Sequence, residues 1–150
     1  MTADDGFAVA NPLAAAGWLL LAVSLFVPAA GVWRGRLRWL AGRALPLLLS
    51  AGYVAALVAS WGSAPGGGFA SLQAVGLLFA SPGVLLAGWL HYLAFDLLVG
   101  RWSVDDAQAN AVPVGWVLPC LLLIFMFGPA GLLVYVLLRV RLRRTSGSTA

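Results

Sequence analysis

Charged residues are scarce in this chain. Only 9% of its 150 residues are charged, and lysine and glutamate are absent, so nine arginines and five aspartates form the whole charged set. A soluble domain carries roughly 25% charged residues. With 62% hydrophobic residues and a mean hydropathy of +0.96, the chain cannot hide its apolar side chains in a single core. We therefore expect an integral membrane protein with lipid as the main solvent.

Other scarce residues exclude several classes of function. The lone cysteine, Cys120, cannot form an intrachain disulfide, and no paired-cysteine or HxxxH spacing predicts a metal site. No phosphate-binding loop, dinucleotide fingerprint or serine-hydrolase elbow is present. The excess of arginine favours membrane topology over nucleic-acid binding, because no solvated basic domain accompanies it.

The apolar runs predict an all-α fold, a polytopic transmembrane helical bundle of one domain. The acidic N-terminus and the length of the first run indicate a retained anchor, not a cleaved signal. Asn11 is the expected N-cap of the first span, and Pro28 and Pro129 are expected to kink the first and last spans. The predicted segments are spans at about 12–32, 44–61, 83–102 and 115–138, a half-helix at 69–81, and a basic tail at 139–150.

The number of crossings depends on residues 69–81. Thirteen residues rise roughly 20 Å as a helix, too short to cross about 30 Å of hydrocarbon. With four spans, five arginines lie on one side and four on the other; with five spans, the counts are eight and one. Length favours four spans and charge favours five, and we expect four. The Ala-, Leu-, Gly- and Arg-rich composition is typical of a GC-rich genome and predicts a bacterial cytoplasmic membrane.

Candidate functional residues cluster in GWLHYLAFDLLVGRW, residues 88–102. This stretch holds the only histidine, His91, and Asp96, an acidic residue inside an apolar run. Ionisable groups in hydrocarbon are costly, so they are functional candidates by default. At 100° per residue, Asp96 lies about 140° round the helix from His91 and shares its side with Trp89 and Tyr92. Partners for Asp96 and His91 must therefore come from other helices.

Structural alternatives exist for each of these residues. Asp96 could form an ion pair with Arg101, and His91 could share hydrogen bonds between helices. Asp105 and Asp106 are expected in a solvated polar loop, and Arg101 is also a candidate interfacial anchor.

Two longer stretches resemble a known family. The stretch SLQAVGLLFASPGVLLAGWLHYLAFDLLVGRW, followed by PCLLLIFMFGPAGLLVY, is similar to the abscisic-acid-deficient-four-like family, the plant neoxanthin synthases and their bacterial relatives. The resemblance runs from about Asn11 to Tyr135. It implies conversion of a carotenoid 5,6-epoxide into an allenic alcohol, an isomerisation that needs no electron-carrying cofactor.

The resemblance also suggests roles for particular residues. Such an isomerisation needs an acid at the epoxide oxygen and a base at the adjacent polyene carbon. By residue type, Asp96 and His91 are the expected catalytic pair. The residues expected to contact the substrate are Tyr92, Arg101, Trp89, Phe95, Phe79, Ser71 and Gln73.

The sequence thus predicts a membrane isomerase or binder for a carotenoid-like or isoprenoid polyene, with no cofactor, metal or nucleic-acid partner. The main alternative is a non-catalytic assembly or lipid-binding protein in which buried charges fix helix packing. A small transporter is a weaker alternative, because a proton path needs a longer chain of ionisable groups. A homo-oligomer stays an open alternative.

Overall fold

The computed structural model describes residues 2–28 and 30–147, and in these residues the ordered elements are all helical. This confirms the predicted all-α bundle. The helices are α1 (Ala3–Ser24), α2 (Val32–Trp39), a π-helical turn (Leu40–Ala44), α3 (Leu45–Ala59), α4 (Leu72–Phe79), α5 (Pro82–Ala109), α6 (Val114–Phe127) and α7 (Pro129–Gly147).

Three helical segments in the described residues are long and apolar enough to cross a membrane. They are Ala3–Ser24, Val32–Ala59 and Pro82–Ala109. Contacts at both ends give their directions: Gly6 of α1 meets Leu86 and Gly17 meets Leu97, so α1 and α5 run parallel. The second segment runs the opposite way, because Gly42 meets Arg101 whereas Gly52 meets Leu90.

The first helix begins earlier than predicted. Its N-cap is Thr2, whose side chain accepts from the Asp5 N–H while the Asp5 carboxylate accepts from the Thr2 N–H. This capping box satisfies two backbone donors and starts the helix at Ala3. Pro12 lies inside α1 and Asn11 is not its cap. Pro28 follows the end of the helix and does not kink it.

The arginine-rich segment after the first span is helical, although the sequence predicted a loop. It forms the short helix α2 and continues through the π-helical turn into α3 without a break. The predicted half-helix is the eight-residue helix α4, capped by Ser71. At 1.5 Å per residue α4 rises about 12 Å, too little to cross the hydrocarbon.

The polar stretch after Trp102 is also helical, because α5 continues to Ala109. The prediction of a solvated loop at Asp105 and Asp106 was wrong. Asp105 pairs with Arg38 and Arg101, and Asp106 pairs with Arg139. These ion pairs connect α5 to α2 and α7 and neutralise the two carboxylates within the helix.

The predicted last span is instead a helical hairpin. The chain turns back at Gly128, which has φ +46°, and Pro129 begins the second arm. Gly131 packs directly on the backbone of Ile124, where any side chain would overlap it. The Tyr135 hydroxyl then donates to Asp106, near the end of α5 where α6 began. The two arms, α6 and α7, therefore start and finish at the same end of the bundle.

This hairpin places the arginines together. The contacts among α2, the C-terminal half of α5 and α7 define one end of the bundle, which we call the arginine end. All nine arginines lie on segments at this end: Arg34, Arg36, Arg38, Arg43, Arg101, Arg139, Arg141, Arg143 and Arg144. Asp4 and Asp5 lie at the other end. The split of five arginines on one side and four on the other, expected from four crossings, is therefore wrong. Residues 148–150 of the predicted basic tail lie outside the described residues.

Candidate functional site

Asp96 lies halfway along α5. It is thirteen to fourteen residues from either end of a helix about 42 Å long, so it is near mid-membrane if α5 crosses. Only 8% of the residue is exposed. Its carboxyl group faces the turn of the hairpin, and Oδ1 is 3.1 Å from the position of a Cβ built at Gly128. Within the described part of the chain, Oδ2 is buried and has no hydrogen-bond partner. A buried polar atom without a partner is unusual in a folded protein, and Asp96 is for that reason a candidate for contact with a ligand.

Tyr92 lies one turn before Asp96 on the same side of α5. Its hydroxyl donates to the Phe125 carbonyl at 3.4 Å and lies beside the Asp96 carboxyl. Pro129 has no N–H, so it leaves the Phe125 carbonyl without its usual helical partner. The hairpin therefore supplies an acceptor that holds Tyr92 next to Asp96.

A groove open to lipid adjoins this pair. Its volume is about 540 Å³, and we call it the Tyr92 groove. Trp89 is fixed in the groove by a 2.8 Å hydrogen bond from Nε1 to Asn11 Oδ1 and stacks on Tyr92 with ring centroids 5.4 Å apart. The full lining is Asn11, Pro12, Ala14, Ala15, Trp89, Tyr92, Leu93, Phe125 and Met126. Most of this surface is apolar or aromatic, as in sites for small hydrophobic ligands.

His91 lies away from Asp96. It is exposed, stacks on Phe95 with centroids 4.4 Å apart, and faces Tyr53 of α3. Phe95 itself is 54% exposed. The structure therefore does not bring His91 to Asp96, and His91 and Phe95 face the lipid side of α3 and α5.

Arg101 is also separate from Asp96. Its Nε donates to Asp105 Oδ2 at 2.5 Å, and its aliphatic stem packs on Gly42. The ion pair between Asp96 and Arg101, one of the two expectations for Asp96, is not formed. Arg101 instead joins α5 to the π-helical turn.

The remaining predicted contact residues lie on or beside α4. Ser71 caps α4 through the Ala74 N–H, and Gln73 is exposed on its first turn. The Phe79 ring packs on Gly88 of α5. These three residues lie beyond the Tyr92 groove, towards the end of the bundle opposite the arginines.

A larger groove of about 780 Å³ runs among α1, α3 and α5. Its lining includes Ala51, Ala55 and Ala59, which the sequence suggested for close helix packing. No charged side chain lines it. The Tyr92 groove differs from it, because its lining residue Tyr92 lies beside the buried acidic side chain of Asp96.

Sequence reasoning missed the contribution of the hairpin. Phe125, Met126 and Gly128 complete the surroundings of Tyr92 and Asp96, yet none was a predicted site residue. The available signal was the Gly-Pro pair at 128 and 129, which is compatible with a kink as well as with a turn.

Comparison with known proteins gives one family match. A family model described as ABA DEFICIENT 4-like matches residues 6–135, a range that begins in the first turn of α1 and includes α2 to α6, the turn at Gly128 and the first part of α7. No curated protein and no solved structure matches the chain.

Proposed function

The chain belongs to the ABA DEFICIENT 4-like family, and on that premise we propose that it isomerises a carotenoid-like or isoprenoid polyene within the bilayer. The observation that supports this proposal most is the Asp96 carboxyl, buried mid-helix beside Tyr92, which lines the Tyr92 groove. Among the described residues its Oδ2 has no partner. A buried polar atom without a partner is costly, and a substrate hydroxyl that donates to Oδ2 would relieve that cost.

The size and lining of the Tyr92 groove suit part of a polyene. Its volume of about 540 Å³ lies within the range of roughly 300–1,000 Å³ typical of small-molecule sites. Trp89 and Tyr92 offer flat aromatic surfaces, and Ala14 and Ala15 leave space opposite them. The groove opens to lipid, so we propose that the substrate enters sideways from the bilayer, with its oxygen-bearing ring near Asp96.

The proposed reaction conserves atoms and electrons. An acid protonates the epoxide oxygen as the carbon–oxygen bond breaks. A base removes a proton from the adjacent polyene carbon, and the electrons of that carbon–hydrogen bond form the new double bond of the allene. One proton is given and one is taken, so no oxidant or reductant is needed. Two side chains that exchange a proton afterwards are sufficient.

We propose Tyr92 as the acid and Asp96 as the base. The two side chains lie together on one side of α5, whereas His91 is on the lipid side against Phe95. After the reaction, the proton taken by Asp96 returns to the Tyr92 oxygen and restores both groups. The Phe125 carbonyl keeps the Tyr92 hydroxyl in place between turnovers.

Binding is tested by blocking the groove from its lipid side. The exposed Ala15 lines the Tyr92 groove, whereas its exposed neighbour Ala16 does not. We expect the wild-type protein and Ala16→Trp, purified in mild detergent from a carotenoid-producing host, to retain a visible-absorbing polyene. Ala15→Trp should lose most of it at unchanged thermal stability. Equal retention by Ala15→Trp and Ala16→Trp would contradict binding in this groove.

A second candidate function is a non-catalytic lipid-binding or assembly protein. The ion pairs of Asp105 and Asp106 favour it, because they connect α5 to α2 and α7 and thus fix helix packing. This alternative predicts that a retained polyene is recovered chemically unchanged. Liquid chromatography with mass spectrometry of the pigment, extracted before and after incubation, distinguishes the two functions. An isomerase changes the retention time of the pigment without changing its mass.

A further inference from the structure

A cluster of arginines at the arginine end has an excess of positive charge. Arg34 and Arg101 both lie close enough to Arg38 to interact with its charge, and Asp105 is the carboxylate among them. Three guanidinium groups against one carboxylate leave two positive charges uncompensated. Arg38 is only 6% exposed, so solvent screens its charge poorly.

Two buried guanidinium nitrogens in this cluster are unused. Arg38 donates from Nε to Ser24 and from Nη1 to Asp105 and Gln108. Within residues 2–28 and 30–147, neither its Nη2 nor the Nε of Arg34 has a hydrogen-bond partner. Leaving charged donors buried and unpaired costs free energy. An anion bound at these nitrogens would satisfy both donors and offset the excess charge.

A crevice opens beside Arg34. It has a volume of about 270 Å³, and Arg34 and Gln108 are among the residues that line it. Gln108 also accepts a hydrogen bond from Arg38, so it connects the crevice to the buried arginine. The other walls are apolar and include Leu25, Val104 and Val117. A ligand here would have a charged head at the arginines and an apolar part along the valines.

We propose that Arg34 and Arg38 bind the phosphate group of an anionic phospholipid, with part of an acyl chain in the crevice. Guanidinium groups match phosphate oxygens in geometry and charge. Helix α2, which carries Arg34 and Arg38, also has exposed Trp33 and Trp39, and tryptophans of this kind mark the headgroup level of a bilayer. The apolar walls favour a lipid over free phosphate.

Native mass spectrometry with added lipid tests this site. Wild-type protein in detergent is titrated with phosphatidylglycerol and, separately, with phosphatidylcholine of the same chains. We expect one phosphatidylglycerol to bind selectively, and Arg34→Gln to weaken that binding about tenfold, which corresponds to about 1.4 kcal/mol. The matched control is Arg43→Gln, which removes the same charge from an exposed arginine of the same region and should change the affinity less than twofold.

A second variant tests the crevice without changing charge. Val114 lines the crevice and is half-buried, so Val114→Trp should fill the crevice and abolish the preference for phosphatidylglycerol. This variant keeps the proposal testable if Arg34→Gln does not fold. Equal binding of the two lipids by the wild type, or equal losses in Arg34→Gln and Arg43→Gln, would overturn the proposal. If inorganic phosphate raises the thermal stability of the protein and the two lipids bind equally, the site binds phosphate, and the proposal that a phospholipid supplies it is overturned.

Discussion

Asp96 Oδ1 lies 3.1 Å from the position that a Cβ at Gly128 would occupy. The acidic group in the middle of α5 therefore faces the turn of the α6–α7 hairpin, and the two positions depend on each other. Gly128 has φ +46° and ψ −103°, a conformation that side chains disfavour. Its lack of a side chain permits the turn and leaves space for the carboxyl group.

Replacement of Gly128 by alanine tests this relationship. We expect Gly128→Ala to lower the free energy of unfolding by about 1–3 kcal/mol, because an L-residue is strained at this φ and ψ, and to reduce turnover by displacing Asp96. Unfolding in mixed detergent–SDS micelles measures the first effect. The control is Gly115→Ala in α6, where a Cβ meets nothing within 4 Å. A Gly128→Ala variant as stable as Gly115→Ala would contradict the tight turn.

His91 provides a test of which residues act in the groove. Because its ring lies on the lipid side against Phe95 and Tyr53, we expect His91→Leu to retain at least half of wild-type turnover and nearly all of its stability. Phe95→Leu serves as the control for loss of ring stacking. If His91→Leu loses turnover a hundredfold while Phe95→Leu does not, Tyr92 is the wrong partner for Asp96.

Local patterns predicted the membrane class and several helices well. Scarce charge and long apolar runs are sufficient to indicate a helical bundle, and the thirteen-residue length of the run at 69–81 indicated a helix too short to cross, which the structure has as α4. Asp96 was chosen as a candidate because one acidic residue in an apolar segment is conspicuous, and its role stays a prediction. Its separation from His91 also follows from helical geometry, and the structure has the two side chains on different sides of α5.

The hairpin could not be predicted because its cause is not local. FGPAG is compatible with both a kinked helix and a reversal, and the outcome depends on contacts made elsewhere. Tyr135 and Arg139 of α7 reach Asp106 of α5 only if the chain turns back. The same long-range pairing explains why the sequence placed Asp106 in a polar loop, because its partners lie 29 and 33 residues away along the chain.

The hydrogen bond between Tyr135 and Asp106 should stabilise the hairpin measurably. The Tyr135 hydroxyl donates at 2.6 Å, and the residue is fully buried. We expect Tyr135→Phe to lower the free energy of unfolding by about 1–2 kcal/mol. Tyr53→Phe, at a half-buried tyrosine beside His91, should change it by less than about 0.5 kcal/mol. Equal losses of unfolding free energy in the two variants would show that the hydrogen bond of the buried Tyr135 hydroxyl does not stabilise the hairpin.

The arginine end should face the cytoplasm, because basic residues are enriched on that side of membrane proteins. In a Cys120→Ser background, we expect single cysteines at Gly35 and Arg143 to react with an impermeant maleimide only after the membrane is opened. A cysteine at Asp4, near the opposite end, should react in intact cells or spheroplasts.

The relative labelling of these positions also tests the hairpin. If α6 and α7 formed one continuous span, Gly35 and Arg143 would lie on opposite sides of the membrane. Labelling of Gly35→Cys and Arg143→Cys from the same side, and of Asp4→Cys from the other, is the outcome that the structure requires. Opposite labelling of the first two would contradict the reversal at Gly128.

Turnover by Asp96→Asn tests the central proposal most directly. Asparagine keeps the size of the side chain, and Asp96 has no ion pair among the described residues, so the fold should persist. With an epoxy-carotenoid supplied in proteoliposomes, we predict that the variant binds the pigment but forms the allenic product at least a hundredfold more slowly than wild type or Asp4→Asn. Undiminished product formation by folded Asp96→Asn would contradict the role of Asp96 as the base.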